Sequence, residues 1–262
     1  MFDYHMHSTV SFDGHDSGLA KALAAKAAGL KEICFTDHID HDCDALGQSM
    51  VFDPAVYSAE YDALEVPGLK IRRGVEYGLK PYNKETMRED LKLRRFDFVL
   101  GSVHFVHEMD IYYKEFWQGK TVEQAEILFL EETLKCVEHH DDFDVLGHLT
   151  YISKARAHPA PRPVCMKEHQ EIVDEIMKIL VKKGKGMEIN TSGVDRCGDF
   201  LPREEYFRRF KELGGEIVTV GSDAHTADRV GQYSGRAGEM MKDIFGYVCT
   251  FENRVPIFHK ML

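Results

Sequence analysis

The sequence predicts an α/β protein whose strand and helix units close, or nearly close, into a TIM-like (β/α)7 barrel. Short apolar runs alternate with longer helical patterns along all 262 residues, and seven such units follow one another. This alternation is typical of a parallel sheet. No linker rich in glycine, serine or proline divides the chain, so we expect residues 1–262 to form a single domain. A doubly wound open sheet is the alternative, because strand count alone does not decide closure.

The predicted elements follow one another in a regular order. The strands cover residues 3–7, 32–36, 70–75, 96–102, 143–146, 186–190 and 216–220. The helices cover residues 17–28, a segment from 54, 85–93, a long segment from near 121, 166–183, 203–213 and 238–245. Ser17 is a suitable N-cap, Gly29 suits a left-handed helix end, and Pro54 suits a first helical turn.

Composition excludes several functional classes. The chain has 33 basic and 44 acidic side chains, so its formal charge is −11 with neutral histidines. Basic residues occur only as scattered doublets, which argues against a nucleic-acid-binding face. No signal peptide or membrane-spanning run is apparent, so we expect a cytoplasmic protein without membrane partners. Six cysteines without a C-x-x-C pair suggest neither a zinc ribbon nor a disulfide framework.

Histidine is the unusual residue, with 14 in the chain. Histidines and carboxylates stand at or just after the ends of six predicted strands. They are His5 and His7, Asp37 and His38, Glu76, His104, His148, and Asp223 and His225. In barrel proteins the carboxyl ends of the strands carry the active site, so these residues are expected to converge on one cavity.

Such a set predicts a metal site. Two imidazoles at positions i and i+2 of a strand point to the same side, so His5 and His7 can reach one ion. A single His-x-His pair is a weak signal, but six such strand ends together indicate a multinuclear metal hydrolase. Without cysteine partners, the set favours Zn, Mn or Fe.

Eight motifs in this order resemble the PHP phosphoesterase superfamily, and within it the histidinol phosphatase branch. They are His5-Met6-His7-Ser8, Ser11-Phe12-Asp13-Gly14, Thr36-Asp37-His38, Gly74-Val75-Glu76, Gly101-Ser102-Val103-His104, Gly147-His148, Glu188-Ile189-Asn190-Thr191 and Gly221-Ser222-Asp223-Ala224-His225. The resemblance covers nearly the whole chain. It implies the PHP fold, a distorted (β/α)7 TIM-like barrel.

The resemblance implies three divalent metal ions. His5, His7, Glu76 and Asp223 would hold the first ion, and Glu76 would bridge to a second ion bound by His104 and His148. Asp13, His38 and His225 would hold the third. Many superfamily members carry histidine at position 13, so His15 is the alternative ligand to Asp13. Asp37 is expected to orient a ligand histidine from behind.

The implied activity is hydrolysis of L-histidinol phosphate, within histidine biosynthesis, by attack of a metal-bridging hydroxide. Glu76, Asp223 and His225 are the expected catalytic residues, and no phosphoenzyme nucleophile is required. Six neutral histidines and three carboxylates carry −3 against +6 for three divalent ions. The site would therefore be positive inside an acidic protein, as a phosphate ester requires.

Substrate contacts are expected from two regions. Phosphate is best held by arginine or lysine, and Lys154, Arg156 and Arg196 follow the strand ends at His148 and Asn190. The loop 105–120 is long for a barrel connection and carries His107, Glu108, Asp110 and Trp117. It is a candidate to recognise an ammonium or imidazole group, with His107 and Glu108 as the proposed contacts. A second long loop, 39–53, is a candidate lid or wall.

Two other functions stay open at this point. One is a PHP phosphoesterase acting on nucleotides or another small phosphate ester. The other is a noncatalytic, metal-stabilised scaffold, although all nine candidate ligands are present and no polymerase domain is attached. The oligomeric state does not follow from the sequence.

Overall fold

The computed structural model describes residues 1–41 and 50–261. Cys43 and most of the proposed lid loop lie outside these residues. The described strands are β1 Phe2–Asp3, β2 Glu32–Phe35, β3 His38–Asp40, β4 Met50–Val51, β5 Lys70–Gly78, β6 Phe98–Ser102, β7 Phe105–Val106, β8 Met109–Asp110, β9 Val145–Leu146, β10 Gly186–Asn190, β11 Val218–Gly221, β12 Tyr247–Glu252 and β13 Val255–Lys260. The α-helices are α1 Gly18–Ala27, α2 Pro54–Tyr61, α3 Lys84–Leu93, α4 Lys114–Trp117, α5 Val122–His139, α6 Gln170–Lys182, α7 Val194–Cys197, α8 Glu204–Glu212 and α9 Ser234–Ile244.

The main sheet is a parallel barrel. Its strands follow the order β1-β2-β5-β6-β9-β10-β11, and every pair along this path is parallel. The last strand returns to the first: Tyr4 N–H donates to Val220 O at 2.8 Å, and Asp223 N–H donates to His5 O at 2.8 Å. These bonds decide in favour of the barrel over the open sheet, and the predicted seven-unit barrel is confirmed.

Local sequence signals account for the helix ends. The Ser17 side chain caps α1 by accepting from Ala20 N–H at 3.3 Å, and Gly29 has a φ of 75° just after the helix. Thr121 and Gln124 form a reciprocal capping box at the start of α5. Pro54 occupies the first turn of α2, as predicted.

The sequence pattern did not predict the C-terminal hairpin. Strands β12 and β13 pair antiparallel with Glu252 opposite Val255, and Asn253 and Arg254 in the turn both have positive φ. Asn-Arg lacks the glycine that usually marks such a turn, so its local signal is weak. Cys249 and Phe251 of this hairpin pack in a cluster with Tyr4 and other residues of the barrel strands.

The described helices offer no candidate for a membrane crossing, since none is both long enough and apolar enough. The five described cysteines are free thiols. Four of them (Cys34, Cys136, Cys197 and Cys249) are buried, which agrees with their expected role as small apolar side chains.

Candidate metal centre

Parallel strands bring the predicted ligand residues to one edge of the barrel. His5 and His7 follow β1, His38 begins β3, Glu76 lies in β5, and His104 and His148 follow β6 and β9. Asp223 and His225 follow β11. A cavity of about 680 Å³ opens at this edge, and Asp13, His38, Glu76, His104, His148, Asp223 and His225 are among its lining residues. His5 and His7 lie beneath it and are fully buried.

Glu76 stands at the centre of this group, and its two oxygens face different histidines. Oε1 lies 2.9 Å from His148 Nε2 and 3.3 Å from His104 Nε2. Oε2 lies 3.1 Å from His5 Nε2 and 3.4 Å from His7 Nε2. A carboxylate whose two oxygens face different pairs of histidines is placed to bridge two ions.

Asp13 lies with a further set of histidines. Its Oδ2 is 2.9 Å from His225 Nε2 and 3.6 Å from His38 Nε2, while its Oδ1 is buried without a hydrogen-bond partner. One possible ligand atom from each of four residues lies within 4.8 Å of the other three: His7, Asp13, His38 and His225. His15 is exposed and belongs to no such group among the described residues. The geometry therefore favours Asp13 over His15 as the ligand.

Two carboxylates orient candidate ligand histidines, and the sequence alone predicted a role for neither. Asp40 accepts from His104 Nδ1 at 2.9 Å and lies 3.1 Å from His38 Nδ1. Glu188 accepts from His5 Nδ1 at 2.6 Å and from the His148 backbone N–H at 2.8 Å. The three contacts to ring Nδ1 atoms turn the Nε2 atoms of His5, His38 and His104 towards the centre, which is how buried carboxylates support metal ligands.

The expectation for Asp37 was partly wrong. Its carboxylate accepts from Ser8 N–H at 2.8 Å, Ser11 Oγ at 3.1 Å and Tyr61 OH at 2.5 Å, and touches no ligand imidazole. Ser11 in turn accepts from the His38 backbone N–H at 2.9 Å. Asp37 therefore fixes the loop that follows β1. Glu188 carried a sequence signal, because it opens one of the eight motifs, whereas Asp40 carried none beyond its place two residues after His38.

Charges are tightly coupled at this centre. Burial by itself would lower the pKa of His38, but Glu76 and Asp13 outweigh it and raise that pKa to about 9. Burial and the neighbouring His38 and His225 lower the pKa of His7 to about 3. Burial would raise the pKa of Glu76, but the imidazoles of His5, His38 and His104 hold it well below its usual range. The facing carboxylates therefore raise the pKa of His5, His38 and His104, whereas burial lowers the pKa of His7 and His148.

Lys154 is the predicted phosphate contact that lies deepest in the cavity. Its Nζ pairs with the Asp223 carboxylate and donates to Ser192 Oγ at 2.9 Å. Arg156 and Arg196 also line the cavity, and Arg196 donates to Arg156 O at 2.8 Å. Within the described ranges the Arg156 guanidinium makes no ion pair, so it is available to an anion.

The structure corrects the expectation for His107 and Glu108. Both residues form the turn between β7 and β8, where their φ values are 47° and 65°. The His107 ring lies 3.9 Å from Glu132 of α5, and Glu108 accepts from Tyr82 OH at 3.2 Å. Neither lines the cavity. The tight turn directs them away from the metal-ligand candidates, so the geometry does not support them as substrate contacts.

The donor set suits divalent ions. Among the described residues, five buried or half-buried carboxylates (Asp13, Asp40, Glu76, Glu188 and Asp223) lie with six imidazoles and Lys154 in one small region. A buried concentration of carboxylates is costly unless cations neutralise it. The unpartnered Asp13 Oδ1 is one oxygen that an ion would satisfy. The donors described here are nitrogen and oxygen atoms, which match zinc, manganese or iron.

Comparisons with known proteins agree with this geometry. Residues 3–192 match the PHP domain family. The chain is 30% identical over 258 residues to a probable histidinol-phosphatase of Clostridium acetobutylicum, covering 97% of this chain and 98% of that one. It is 32% identical over 235 residues to a histidinol-phosphatase of Lactococcus lactis, covering 87% and 85% of the two chains. The crystal structure of the histidinol phosphate phosphatase from L. lactis, complexed with zinc, L-histidinol and phosphate, has a TM-score of 0.85, 28% identity and 98% coverage of both chains.

Proposed function

The chain belongs to the PHP domain family, and on that premise we propose that it is a metal-dependent phosphomonoesterase that hydrolyses L-histidinol phosphate to L-histidinol and phosphate. The observation that carries the proposal is the convergence of nine histidines and carboxylates at the cavity of the barrel. This barrel resembles the L. lactis structure that is complexed with zinc, L-histidinol and phosphate, with a TM-score of 0.85. The same reaction places the protein in histidine biosynthesis.

We propose that the site holds three divalent ions. His5, His7 and Asp223 offer one ligand set, and Asp13, His38 and His225 offer another. Glu76 Oε1 with His104 and His148 offers the third. When bound, such ions neutralise charge on phosphoryl oxygens and lower the pKa of water at the reacting phosphorus. Zinc is the first candidate, because the L. lactis relative is complexed with it.

The remaining charged side chains are suited to bind the phosphate. Lys154 and Arg156 present an ammonium and a guanidinium to the cavity, and Arg196 holds their loop through its hydrogen bond to Arg156 O. Lys154 also keeps Asp223 ionised, because this ion pair holds the pKa of that carboxyl well below its usual range despite burial. We assign Asp223, together with Glu76 and His225, to the reacting centre.

Steady-state kinetics on the zinc- or manganese-loaded protein test the proposal. We expect kcat/KM for L-histidinol phosphate to exceed that for nucleotides and glycerol phosphate by about 100-fold, because specific polar contacts in a buried site discriminate at this level or above. Asp223→Asn, loaded with the same metal, should lose most of the activity. Similar kcat/KM values for all of these esters would contradict the assignment and favour a broad phosphoesterase. A His104→Ala protein that lost its metal but kept cellular function would favour a scaffold.

A further inference from the structure

Asp110 is an acidic residue of the cavity without a place among the proposed metal ligands. It ends β8, and the acidic residues that line the cavity are Asp13, Glu76, Asp110 and Asp223. The other three belong to the proposed ligand sets, whereas Asp110 joins no metal-type group within the described residues. Its carboxylate therefore remains available to another positive group.

The contacts of Asp110 hold it in place without neutralising it. Oδ1 accepts from the Tyr112 N–H at 2.8 Å, which is an Asx turn that fixes the carboxylate. Residues 1–41 and 50–261 place no lysine or arginine within ion-pair distance of it. A partly buried carboxylate with one hydrogen bond and no counter-ion is complementary to a cationic ligand.

Two aromatic side chains close to Asp110 in the chain line the same cavity. Tyr112 and Tyr113 both line the cavity, and their ring centroids lie 5.6 Å apart at an interplanar angle of 82°. Aromatic faces attract organic cations, and the attraction grows when water is excluded. A carboxylate beside two tyrosines is an arrangement that favours an alkylammonium over a neutral or anionic group.

Asp110, Tyr112 and Tyr113 are hydrogen-bonded through their backbone to the loop that carries the proposed phosphate contact Arg156. The Ala157 N–H donates to Tyr112 O at 3.1 Å, and Ala157 directly follows Arg156. Ile111 directly follows Asp110, and its N–H donates to His104 O at 3.2 Å, which connects this segment to a metal-ligand candidate as well. One cavity therefore presents cations for a phosphate and, on the adjoining loop, a carboxylate for a positive charge carried by the same small molecule.

We propose that Asp110 binds the ammonium group of the substrate and thereby restricts this enzyme to phosphate esters of amino alcohols. The inference rests on the proposed phosphatase function and adds the residue that selects the organic half of the substrate. An ester without an ammonium group leaves the Asp110 carboxylate desolvated and unpaired, which is the kind of penalty that gives strong discrimination.

Two substrates that differ only in the ammonium group test this assignment: L-histidinol phosphate and its deamino analogue, 3-(imidazol-4-yl)propyl phosphate. Asp110→Asn keeps the Oδ1 acceptor for Tyr112 and removes the charge. We expect it to lower kcat/KM for L-histidinol phosphate by about 10- to 100-fold, mainly through KM, and to change kcat/KM for the analogue by less than about threefold.

Glu115→Gln is the matched control, because Glu115 is an exposed carboxylate in α4 of the same loop region and does not line the cavity. It should leave both substrates unaffected. An equal loss on both substrates in Asp110→Asn, or no loss on either, overturns the assignment. Metal content and melting temperature of each variant separate a folding or metal defect from a binding defect. If the wild-type protein prefers phosphate esters other than L-histidinol phosphate, the proposed function itself fails instead.

Discussion

The Glu188 carboxylate accepts a hydrogen bond from His5 Nδ1 at 2.6 Å, although 183 residues separate them in the chain. This bond fixes the tautomer of His5 and turns its Nε2 towards Glu76. Glu188 is thus a positioning residue for the proposed metal centre.

Glu188→Gln should weaken metal binding by about 10- to 100-fold, because the neutral amide is a poorer acceptor for the His5 N–H. Activity at limiting free zinc should fall in proportion and recover at excess zinc. Zinc titration in a metal buffer, followed by activity, measures both effects. Glu239→Gln, an exposed change on α9, is the control. An activity loss that excess zinc does not restore would show that Glu188 acts in another way.

Asp40 and Asp37 should differ in what their loss affects. Asp40 contacts two of the proposed ligand imidazoles, so Asp40→Asn should reduce the bound metal by at least one ion per chain after dialysis against limiting zinc. Within residues 1–41 and 50–261 the Asp37 carboxylate bonds to the loop after β1 and to Tyr61, so Asp37→Asn should lower the melting temperature with less effect on metal content. Elemental analysis and thermal unfolding on both proteins check this. The reverse pattern would mean that Asp37 is the orienting carboxylate.

Removing metal should destabilise the fold as well as abolish activity. Divalent ions at about 100 times their dissociation constant stabilise a single site by roughly 2.7 kcal/mol, which shifts the melting temperature of a chain this long by about 5 to 10 °C. Scanning calorimetry with and without a chelator measures the shift, and zinc addition should reverse it. Asp223→Asn should show a smaller shift. Equal melting temperatures with and without metal would contradict the idea that the ions neutralise the buried carboxylates.

Gly221 is required for the approach of β11 to its neighbours. A Cβ at this position would overlap both Glu188 Oε1 and the His5 Cβ. Gly221→Ala should therefore cost about 2 kcal/mol or more and reduce zinc binding. Gly235→Ala is the matched control. Gly235 lies in α9, and a Cβ at this position has open space around it among the described residues. It should be neutral or stabilising by up to about 1 kcal/mol. Denaturant unfolding of both proteins decides the comparison.

Much of the fold could be predicted because it depends on local signals. Ser17, Gly29 and Thr121 mark helix ends by their own chemistry, and the apolar runs between them mark the strands. The hairpin of β12 and β13 was missed because Asn253 and Arg254 form its turn without glycine. The barrel was predicted, but the open sheet stayed as an alternative, because closure depends on hydrogen bonds between residues such as Tyr4 and Val220 at opposite ends of the chain.

The sequence by itself determined the seven-unit architecture and the set of histidines and carboxylates at the strand ends, since both follow from spacing along the chain. Only the tertiary structure decided which groups face one another. It set Glu188 behind His5, Asp40 between His38 and His104, and Lys154 against Asp223. It also showed that His107 and Glu108 do not line the cavity, whereas Asp110 does. The physical reason is that a side chain's charge and hydrogen bonds depend on neighbours within a few ångströms, and here those neighbours come from distant strands.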